Sequence, residues 1–579
     1  MTSKRKNKTN LKSFSNYCKI TILLNLILVL LSLFYYIGIR ISAYGQLLGI
    51  FFLITFFFNL GIVVLSDKYL IKRTRGKLGI YAIYITYIYL LFIVFGVLSF
   101  ISRKGKHLWF IPSIIIFYTF ISFSLVLVVV NYKLIKVKEG QFKGYSKKKL
   151  VSILRIFMVL SGILFFLFYM LLAWTMFSGG PPLIGIATGL VVDLTSGLLF
   201  LIIPAITILI TRQFSKRNHP KLKNGLIITG ITFTFISSLP FLSIPLTIND
   251  ANSQFANYFG LEWNKFDVEV QKYFLDTPFV LGQYYFGIPF ESGENFNFEA
   301  DILFAKGSNY ELRYDAYYPI KPNLLGNETT IIYIHGGGWS EGDKGQHREF
   351  LNYFATQGYY IFDVQYRLLN ISLFKELAGF EFDLGQGGDK DVLGMWTIED
   401  MISDIANFTQ YLSSNNVYGA NLQNVYLFGG SAGAHLATLA AFGYNEGLWN
   451  FSPWLNISGV IACFPPNFAE YFFYDLGAFF QYGFIPGNKT PSEDPDIYKK
   501  YTPSEHIDFA DPPCLLFHGT ADQLVPYENS ATIQTKLINA NENTPSILVK
   551  GLFGSHGHTE TIPHLTIALY YAERFLYLT

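Results

Sequence analysis

Seven apolar runs of membrane-spanning length lie within the first 250 of the 579 residues, and they constrain the fold more than any other feature. The runs cover residues 20–38, 46–66, 78–101, 108–131, 153–177, 185–211 and 224–246. A helix needs about 20 apolar residues to cross a bilayer. The pattern therefore predicts about seven transmembrane helices. The first run is long and lacks a small-residue cleavage site, which argues against a signal peptide.

Charge is divided unequally between the two parts of the chain. Residues before Asp250 include 28 Lys and Arg and three acidic residues, whereas the remainder includes 16 basic and 38 acidic residues. Within the membrane region, alternate loops hold 23 and four Lys and Arg residues, and the rich set begins with the N-terminal tail. Because cytoplasmic loops are enriched in Lys and Arg, the tail is predicted to be cytoplasmic and the part after the seventh span extracytoplasmic.

Four parts are predicted along the chain. They are a basic cytoplasmic tail (1–19), a transmembrane domain of about seven helices (20–248), a lead-in segment (249–296) and an α/β domain (297–579). Asp193 lies near the predicted outer end of the sixth span, and it is expected close to water rather than at a functional site within the bilayer. The membrane part is therefore interpreted as an anchor or platform.

The pattern changes after Asp250 from long apolar runs to short β-rich runs that alternate with helical stretches. Examples are "ADILFAK", "YELRYDAYYP", "TTIIYIHGGGW" and "YYIFDVQYR", with helices expected near 399–413, 527–539 and 561–577. This alternation predicts an α/β domain with a mostly parallel central sheet flanked by helices. The three cysteines form neither a disulfide framework nor a metal pattern, and Cys463 and Cys514 are expected to be buried thiols.

A serine stands between small residues where a strand is predicted to end and a helix to begin. The pentapeptide Gly429-Gly430-Ser431-Ala432-Gly433 follows "NVYLF" and precedes "AHLATLAA". G-x-S-x-G in this context is a nucleophile elbow, in which a tight turn projects the serine hydroxyl from the sheet. The sequence therefore predicts Ser431 as a nucleophile, near a helix N-terminus that favours developing negative charge.

A serine nucleophile needs a base, and the base needs an acid that orients it. In this fold the chain order is serine, acid, histidine, which selects Asp522 in "LLFHGTADQLVP" and His556 in "VKGLFGSHGH". His556 is preferred to His558 on position alone, and His558 stays open as the alternative. Asp511 and Glu528 are expected to be surface residues or helix caps.

The glycines of "HGGGW", His335 to Trp339, follow the strand "TTIIYI". Such a loop lets backbone N–H groups face a substrate oxygen without obstruction by side chains. The predicted oxyanion hole consists of the N–H groups of Gly337, Gly338 and Ala432. His335 is expected to brace the loop rather than to act in catalysis.

Residues from about 280 to 579 resemble the α/β-hydrolase carboxylesterases of the hormone-sensitive-lipase and feruloyl/acetyl-esterase (BD-FAE-like) groups. The matching motifs are "HGGGWSEGDK", "VQYRL", "GGSAGAHLA", "PPCLLFHGTADQLVP" and "GSHGH". The form "GGSAGAHLA" is similar to that of isoprenylcysteine-methylesterase-like and formamidase-like relatives. Two features depart from the family pattern: the seven-span region and a long insert at residues 371–398.

The resemblance implies ester hydrolysis through an acyl-enzyme intermediate. It assigns Ser431 as nucleophile, His556 as base and acid, and Asp522 as the residue that orients the base, with no cofactor and no metal. It also places Arg367 and Asp404 at positions that the family uses structurally.

The predicted function is a membrane-anchored serine carboxylesterase or lipase-like hydrolase that acts on acyl or acetyl esters. The expected partners are an ester substrate, either lipid-linked or on a cell-surface glycan, and membrane lipid, with no nucleic acid. The alternatives are an amidase or peptidase with the same triad, a non-catalytic binding protein, and a transporter or sensor whose hydrolase part processes a ligand.

Overall fold

The computed structural model describes most of the chain. The described residues are 2–37, 42–70, 110–135, 220–286, 296–320, 325–326, 328–370, 390–467, 485–489, 492–560 and 564–579, with scattered helical residues between 160 and 211. The chain forms two compact units. The first comprises Met1–Trp174, Leu194–Leu242 and Phe279–Pro289, and the second comprises Thr175–Asp193, Ser243–Pro278 and Phe290–Thr579.

The elements are numbered here in chain order. The helices are α1 (Thr2–Ile37), α2 (Ser42–Leu70), α3 (Phe110–Ile135), α4 (Pro220–Ser237), α5 (Leu239–Leu242), α6 (Ile244–Phe259), α7 (Val268–Gln271), α8 (Leu281–Phe286), α9 (Arg348–Thr356), α10 (Ile398–Ser414), α11 (Ala432–Gly443), α12 (Pro495–Lys500), α13 (Glu528–Ala540) and α14 (His564–Leu578). The strands are β1 (Phe296–Lys306), β2 (Glu311–Pro319), β3 (Thr330–Ile334), β4 (Tyr360–Val364), β5 (Leu368–Leu369), β6 (Leu393–Gly394), β7 (Val425–Gly430), β8 (Ile457–Cys463), β9 (Cys514–Gly519) and β10 (Ser546–Gly551).

Helices α1 and α2 of the first unit are joined by a pair of buried amides. The side chains of Asn25 and Asn59 each donate to the other, at 3.1 and 3.2 Å. The ring of Tyr17 stacks on that of Phe58, with 5.0 Å between centroids. Because buried polar groups need partners in an apolar environment, the amide pair fixes how the two helices align.

Two helical stretches of the described residues are long and apolar enough to cross a membrane. They are Asn10–Tyr35 and Ser42–Leu65, and they correspond to the first two predicted spans. Apolar side chains on them face outward, such as Leu23 and Leu30, which are 58% and 55% exposed. Two helices do not establish a multi-pass region, so seven spans stay a prediction.

The remaining predicted spans are only partly covered by the described residues. The third run (78–101) and Asp193 lie outside them, and the fifth and sixth runs are described in part. The seventh run (224–246) is divided among α4, α5 and the start of α6. Pro240 in α5 and Pro245 at the start of α6 account for the breaks, because proline lacks the N–H that continues a helix.

An eight-stranded sheet forms the centre of the second unit. Its strand order is β1-β2-β4-β3-β7-β8-β9-β10. β2 runs antiparallel to both β1 and β4, and the other neighbours in this sheet are parallel. β3 and β9 are buried along their whole length, as expected for parallel strands covered on both faces. The mostly parallel α/β sheet predicted from the sequence is confirmed.

Helices cover both faces of this sheet. On one face α10, α11 and α13 share a core with Leu427 and Leu516 of the central strands. On the other face α9 packs Phe354 near Phe428, and α14 packs Phe575 near Tyr426, with ring centroids 6.2 and 6.4 Å apart. The side chains of adjacent positions on β7 therefore point into different cores, which fixes the register of the strand that leads to Ser431.

The predicted insert at 371–398 contributes to the fold at its C-terminal end. Residues 371–389 lie outside the described residues. Beyond them, β6 pairs with β5 in a separate two-stranded sheet, and Thr397 and Asp400 form a capping box at the start of α10. Arg367 binds Asp404 through several hydrogen bonds of 2.8 to 3.0 Å, consistent with a structural ion pair.

Cys463 and Cys514 are buried thiols outside any disulfide bond, as predicted, and Cys18 is buried as well. Cys463 lies opposite Phe517 in the β8–β9 register, whereas Cys514 lies opposite Val460. The two thiols therefore occupy different levels of neighbouring strands.

Helix α6, which contains the start of the predicted lead-in, covers the edge of the sheet. Gln254 accepts a hydrogen bond from the N–H of Leu548 at 2.9 Å and donates one to its carbonyl at 2.8 Å. The Thr247 hydroxyl donates to the carbonyl of Lys550 at 2.9 Å. Side chains of α6 thus take the place of a further strand beside β10, which satisfies its edge without leaving it open to association.

Replacing Gln254 by alanine should destabilise the second unit by about 1–3 kcal/mol, because both backbone groups of Leu548 lose their partner. The thermal unfolding midpoint of the full chain in detergent measures this loss. Gln423→Ala is the matched control, because Gln423 is exposed and its side-chain amide donates to the Trp454 carbonyl in a loop, away from the sheet edge. Equal effects of the two substitutions would contradict the edge-covering role.

Candidate functional site

Ser431 lies at the junction of β7 and α11 in a strained backbone conformation. Its φ of 54° and ψ of −121° are rare for a residue with a side chain. A methyl group added to Gly429 would lie 2.5 Å from the backbone carbonyl carbon of Gly433, and one added to Gly433 would overlap the Ile334 carbonyl. Glycine is therefore required at both positions, because the strand and helix approach too closely for side chains.

His556 lies between the other two predicted triad residues. Its Nε2 is 3.0 Å from the hydroxyl of Ser431, and its Nδ1 is 2.8 Å from a carboxylate oxygen of Asp522. A carboxylate only accepts, so Nδ1 carries the proton and Nε2 is free to accept from the serine hydroxyl. The structure thus brings Ser431, His556 and Asp522 together. The hydrogen-bond partners of His556 give its imidazole the tautomer that a general base requires.

The carboxylate of Asp522 is fully buried and held by several donors. One oxygen accepts the N–H groups of Leu524 and Val525, both at 2.9 Å. Burial alone would raise the pKa of this carboxyl, but the facing imidazoles of His556 and His518 hold the pKa well below its usual range. Asp522 is therefore ionised at neutral pH and fixed before substrate binds.

His518 is a neighbour of Asp522 that the sequence interpretation did not identify. Its Nε2 lies 2.9 Å from the Val525 carbonyl and 3.4 Å from Asp522, and its Nδ1 lies 2.7 Å from the hydroxyl of Ser530. Because a carbonyl only accepts, Nε2 carries the proton and faces the carboxylate. The available sequence signal was a histidine inside a strand, four residues before the acid.

His558, the alternative base, lies elsewhere. It is 2% exposed, and its ring centroid is 5.1 Å from that of His564. Burial and the neighbouring His564 lower the pKa of His558 well below its ordinary value. The geometry therefore places His556, and not His558, between Ser431 and Asp522.

Asp511 was expected at the surface or in a cap. It is 5% exposed and accepts the N–H of Asp508 at 2.7 Å, so it belongs to a buried local turn.

The glycine loop after β3 lies against Ser431. Gly337, Gly338 and Trp339 have φ values of 125°, 59° and 58° in succession. A methyl group added to Gly336 would lie 3.4 Å from the Cβ of Ser431. The loop therefore brings the predicted oxyanion donors to the same edge of the sheet as Ser431.

His335 braces this loop from beneath. Its Nδ1 donates to the carbonyl of Gly336 at 2.9 Å, and its ring stacks on Tyr366 with 4.4 Å between centroids. The Tyr366 hydroxyl donates to the His335 carbonyl at 2.9 Å. Burial lowers the pKa of His335 to about 4, so the ring is neutral and its contacts are structural.

The far end of the same loop is anchored by a buried carboxyl group on β4. Asp363 is 0% exposed and accepts the N–H of Gly345 at 2.6 Å. Burial, with a smaller effect of the nearby Asp315 and Asp343, raises the pKa of Asp363 to about 8. The carboxyl is therefore protonated at neutral pH, and its ionisation opposes the folded state.

Asp363→Asn should remove this pH dependence, because an amide imitates the protonated carboxyl. In the wild type the stabilisation is complete below the unfolded pKa, about 3.9, and is lost as the pH rises through about 8. Relative to the variant, the wild type should lose more than about 1 kcal/mol of unfolding free energy between pH 5 and 9. Chemical denaturation at several pH values measures the difference. Asp496→Asn, at an exposed site, is the control, and parallel pH profiles of Asp363→Asn and the wild type would contradict the expectation.

Among the described residues, no three His, Cys, Asp or Glu side chains are gathered so as to hold a metal ion. The polar groups around Ser431 instead face one another as donor and acceptor pairs. Their arrangement is suited to proton transfer and acyl transfer.

Comparison with known proteins yields a family match over part of the chain. The sequence model of the family described as BD-FAE matches residues 315–377 and 395–537, which include Ser431 and Asp522. A probable isoprenylcysteine alpha-carbonyl methylesterase of Arabidopsis thaliana is 25% identical over 264 residues, 42% of this chain and 54% of that protein. Gut esterase 1 of Caenorhabditis elegans is 30% identical over 118 residues, 20% of this chain and 18% of that protein.

The chain therefore spans about half the length of the first of these relatives and less of the second. Among solved structures, esterase B from Lactobacillus rhamnosis is 22% identical, with a TM-score of 0.37 and coverage of 50% of this chain and 88% of that chain. Thermogutta terrifontis esterase 2 with bound propionate is 20% identical, with a TM-score of 0.37 and coverage of 49% and 94%. The family match and the curated relatives support the predicted enzyme class, and the region they cover is similar to carboxylic ester hydrolases.

Proposed function

We propose that the chain is a serine carboxylesterase that cleaves acyl or acetyl esters through an acyl-enzyme intermediate. One observation carries the proposal. The imidazole of His556 lies within hydrogen-bond distance of both the Ser431 hydroxyl (3.0 Å) and the Asp522 carboxylate (2.8 Å). Nucleophile, base and orienting acid in this order form a serine hydrolase triad. The glycine loop beside Ser431 supports the same reaction.

In the first step the Ser431 oxygen attacks the carbonyl carbon of the ester while His556 Nε2 takes the hydroxyl proton. The electron pair of the carbonyl moves to its oxygen, which the N–H groups of Gly337, Gly338 and Ala432 stabilise. When this intermediate collapses, the bond to the alcohol oxygen breaks and the alcohol leaves with the proton from His556. Asp522 holds the imidazole in place and stabilises its cationic form.

In the second step a water molecule replaces the alcohol. His556 takes a proton from the water, whose oxygen attacks the acyl carbon. The bond to Ser431 then breaks, the serine oxygen recovers the proton from His556, and a carboxylic acid is released. Besides the ester and one water molecule, the reaction as proposed uses only side chains and backbone groups of this chain.

The proposed substrate is an ester presented at a membrane, either lipid-linked or on a cell-surface glycan. The two long apolar helices near the N-terminus support a membrane location for the enzyme. The name of the Arabidopsis relative refers to a methyl ester on an isoprenylated cysteine, which supports a lipid-linked ester here.

The proposed topology is multi-pass with a cytoplasmic N-terminus and an extracytoplasmic hydrolase domain. Its support is the unequal distribution of Lys and Arg among the loops. Protease treatment of sealed cells expressing the chain should cleave the hydrolase part without permeabilisation. Protection of that part until the membrane is opened would contradict the orientation.

The proposed activity is tested with nitrophenyl esters from acetyl to palmitoyl and the full chain in detergent, with the matching nitroanilides in parallel. Turnover of esters is expected, and the chain-length optimum separates a deacetylase from a lipase. Turnover of nitroanilides alone would favour the alternative hypothesis of an amidase. A folded protein that hydrolyses neither and resists a fluorophosphonate would contradict catalysis and favour a binding function.

A further inference from the structure

The strand that follows α11, β8, is followed directly by a residue with a strained backbone. Phe464 has a φ of 44° and is followed by Pro465. A residue before proline favours extended backbone, and a bulky residue rarely adopts positive φ. Such strain persists only where surrounding contacts enforce it, and it is common at functional sites.

Two backbone hydrogen bonds enforce this conformation. The N–H of Phe464 donates to the carbonyl of Phe517 on β9 at 2.7 Å. The carbonyl of the preceding Cys463 accepts the N–H of Ser431 at 2.9 Å. The same two residues are therefore joined both to the nucleophile turn and to the strand that leads to Asp522.

The phenyl ring of Phe464 fills the space between the nucleophile turn and the base. Its centroid is 4.6 Å from that of the His556 imidazole, with 62° between the ring planes. A methyl group added to Gly430 would lie 3.7 Å from the tip of the phenyl ring. The side chain is 1% exposed, so water is excluded from this side of the imidazole.

We propose that Phe464 is a positioning residue for His556 and that it acts mainly in the second step of the reaction. The inference rests on the proposed function. Before acylation, the imidazole is fixed by hydrogen bonds to both Ser431 and Asp522. After acylation the serine oxygen carries the acyl group and no proton, so its bond to Nε2 is lost. Asp522 and the ring of Phe464 then hold the imidazole towards the attacking water.

The ring also favours the charge that forms during the step. An aromatic ring attracts a cation within about 6 Å of its centroid, and the imidazole becomes cationic when it takes the proton of water. His556 is cationic in the first step as well, so this attraction assists both steps. Loss of the ring should still slow deacylation more than acylation, because during acylation the Ser431 hydroxyl also holds Nε2 in place.

The test uses the full chain in detergent and nitrophenyl acetate in a stopped-flow instrument. The burst reports acylation, and the steady-state rate reports deacylation. Phe464→Leu should lower kcat per active site about tenfold and kcat/KM less than about threefold, with a larger burst relative to turnover. Active sites are counted by fluorophosphonate labelling. Phe464→Met is measured beside it, because its flexible side chain refills the core without a ring.

Phe408→Leu is the matched control. Phe408 is also a fully buried phenylalanine, but it lies on α10 among Phe304, Tyr314 and Phe362. The Phe408→Leu variant should be less stable than the wild type, but its ratio of burst rate to steady-state rate should not change. A merely structural role for Phe464 would lower the active fraction and leave both rates per active site unchanged.

The positioning role is overturned if Phe464→Leu, or Phe464→Met where the leucine variant does not fold, keeps the wild-type kcat per active site. It is also overturned if the burst phase and the steady-state phase slow by the same factor. These results leave the esterase proposal intact as long as the wild type turns over. A wild type without turnover and without fluorophosphonate labelling contradicts the proposed function itself, and the positioning role with it.

Discussion

Ser431→Ala is expected to lower kcat for nitrophenyl esters by about 10⁵-fold. The substitution removes the atom that attacks the carbonyl carbon, so only the binding pocket and the backbone N–H groups of the glycine loop remain to assist water. Residual catalysis of this kind survives the loss of a triad residue in serine hydrolases. The measurement is initial rate against substrate concentration for the full chain in detergent. KM should change little in comparison with kcat.

Ser403→Ala is the control for this substitution. Ser403 lies on α10 and donates to the carbonyl of Glu399 at 2.6 Å, in the helix itself. Its replacement should leave both kcat and KM close to those of the wild type. Substantial turnover by Ser431→Ala would show that another nucleophile, or water activated directly, performs the reaction.

His556→Ala is expected to lower kcat by a similar factor, about 10⁴- to 10⁶-fold, because the nucleophile loses its only general base. A double variant with Ser431→Ala should be no slower than either single variant. Groups that act as one unit have strongly non-additive effects, since removal of one member already disables the others. The full set of rates against nitrophenyl acetate measures the coupling.

His558→Gln distinguishes the two histidines of the "GSHGH" segment. His558 is buried beside His564, so its replacement should cost stability while the folded fraction keeps most of its turnover. If His558→Gln abolished activity and His556→Ala did not, the assignment of the base would be reversed.

The sheet and the positions of the three proposed triad residues could be predicted because their signals are local. The strand that ends at Gly430 and the helix that begins at Ala432 are visible as an apolar run and a helix-forming run on either side of the serine. The predicted helix near 399–413 is found at Ile398–Ser414, because its cap and its apolar spacing are both contained in the segment. Chain order then restricted the acid and the base to two short loops.

The covering of the sheet edge could not be predicted, because it depends on residues far apart in the sequence. Gln254 pairs with Leu548, 294 positions away, and no local pattern distinguishes this glutamine from an ordinary polar residue on a helix. The lead-in therefore could not be assigned to β10. The division of the seventh apolar run was visible in principle, since Pro240 and Pro245 are printed in the sequence.

The neighbours of the proposed triad, Phe464 and His518, were missed for a related reason. Phe464 follows an apolar strand and precedes two prolines, which indicates a turn but not a left-handed backbone. The contact of its ring with His556 joins β8 to the loop after β10 and requires the folded sheet. His518 lies inside a buried strand, where a histidine is usually a satisfied core residue, and its approach to Asp522 depends on the loop that follows.

The most direct measurement of the central claim is the identification of the acylated residue. The full chain in detergent is mixed with a nitrophenyl ester, quenched in acid within the burst, digested and examined by peptide mass spectrometry. We expect the acyl group on the peptide that contains Ser431, and we expect it to be absent from the Ser431→Ala variant. Turnover accompanied by an acyl group on another residue, or by no acyl group in repeated quenches, would contradict the assignment of Ser431 as the nucleophile.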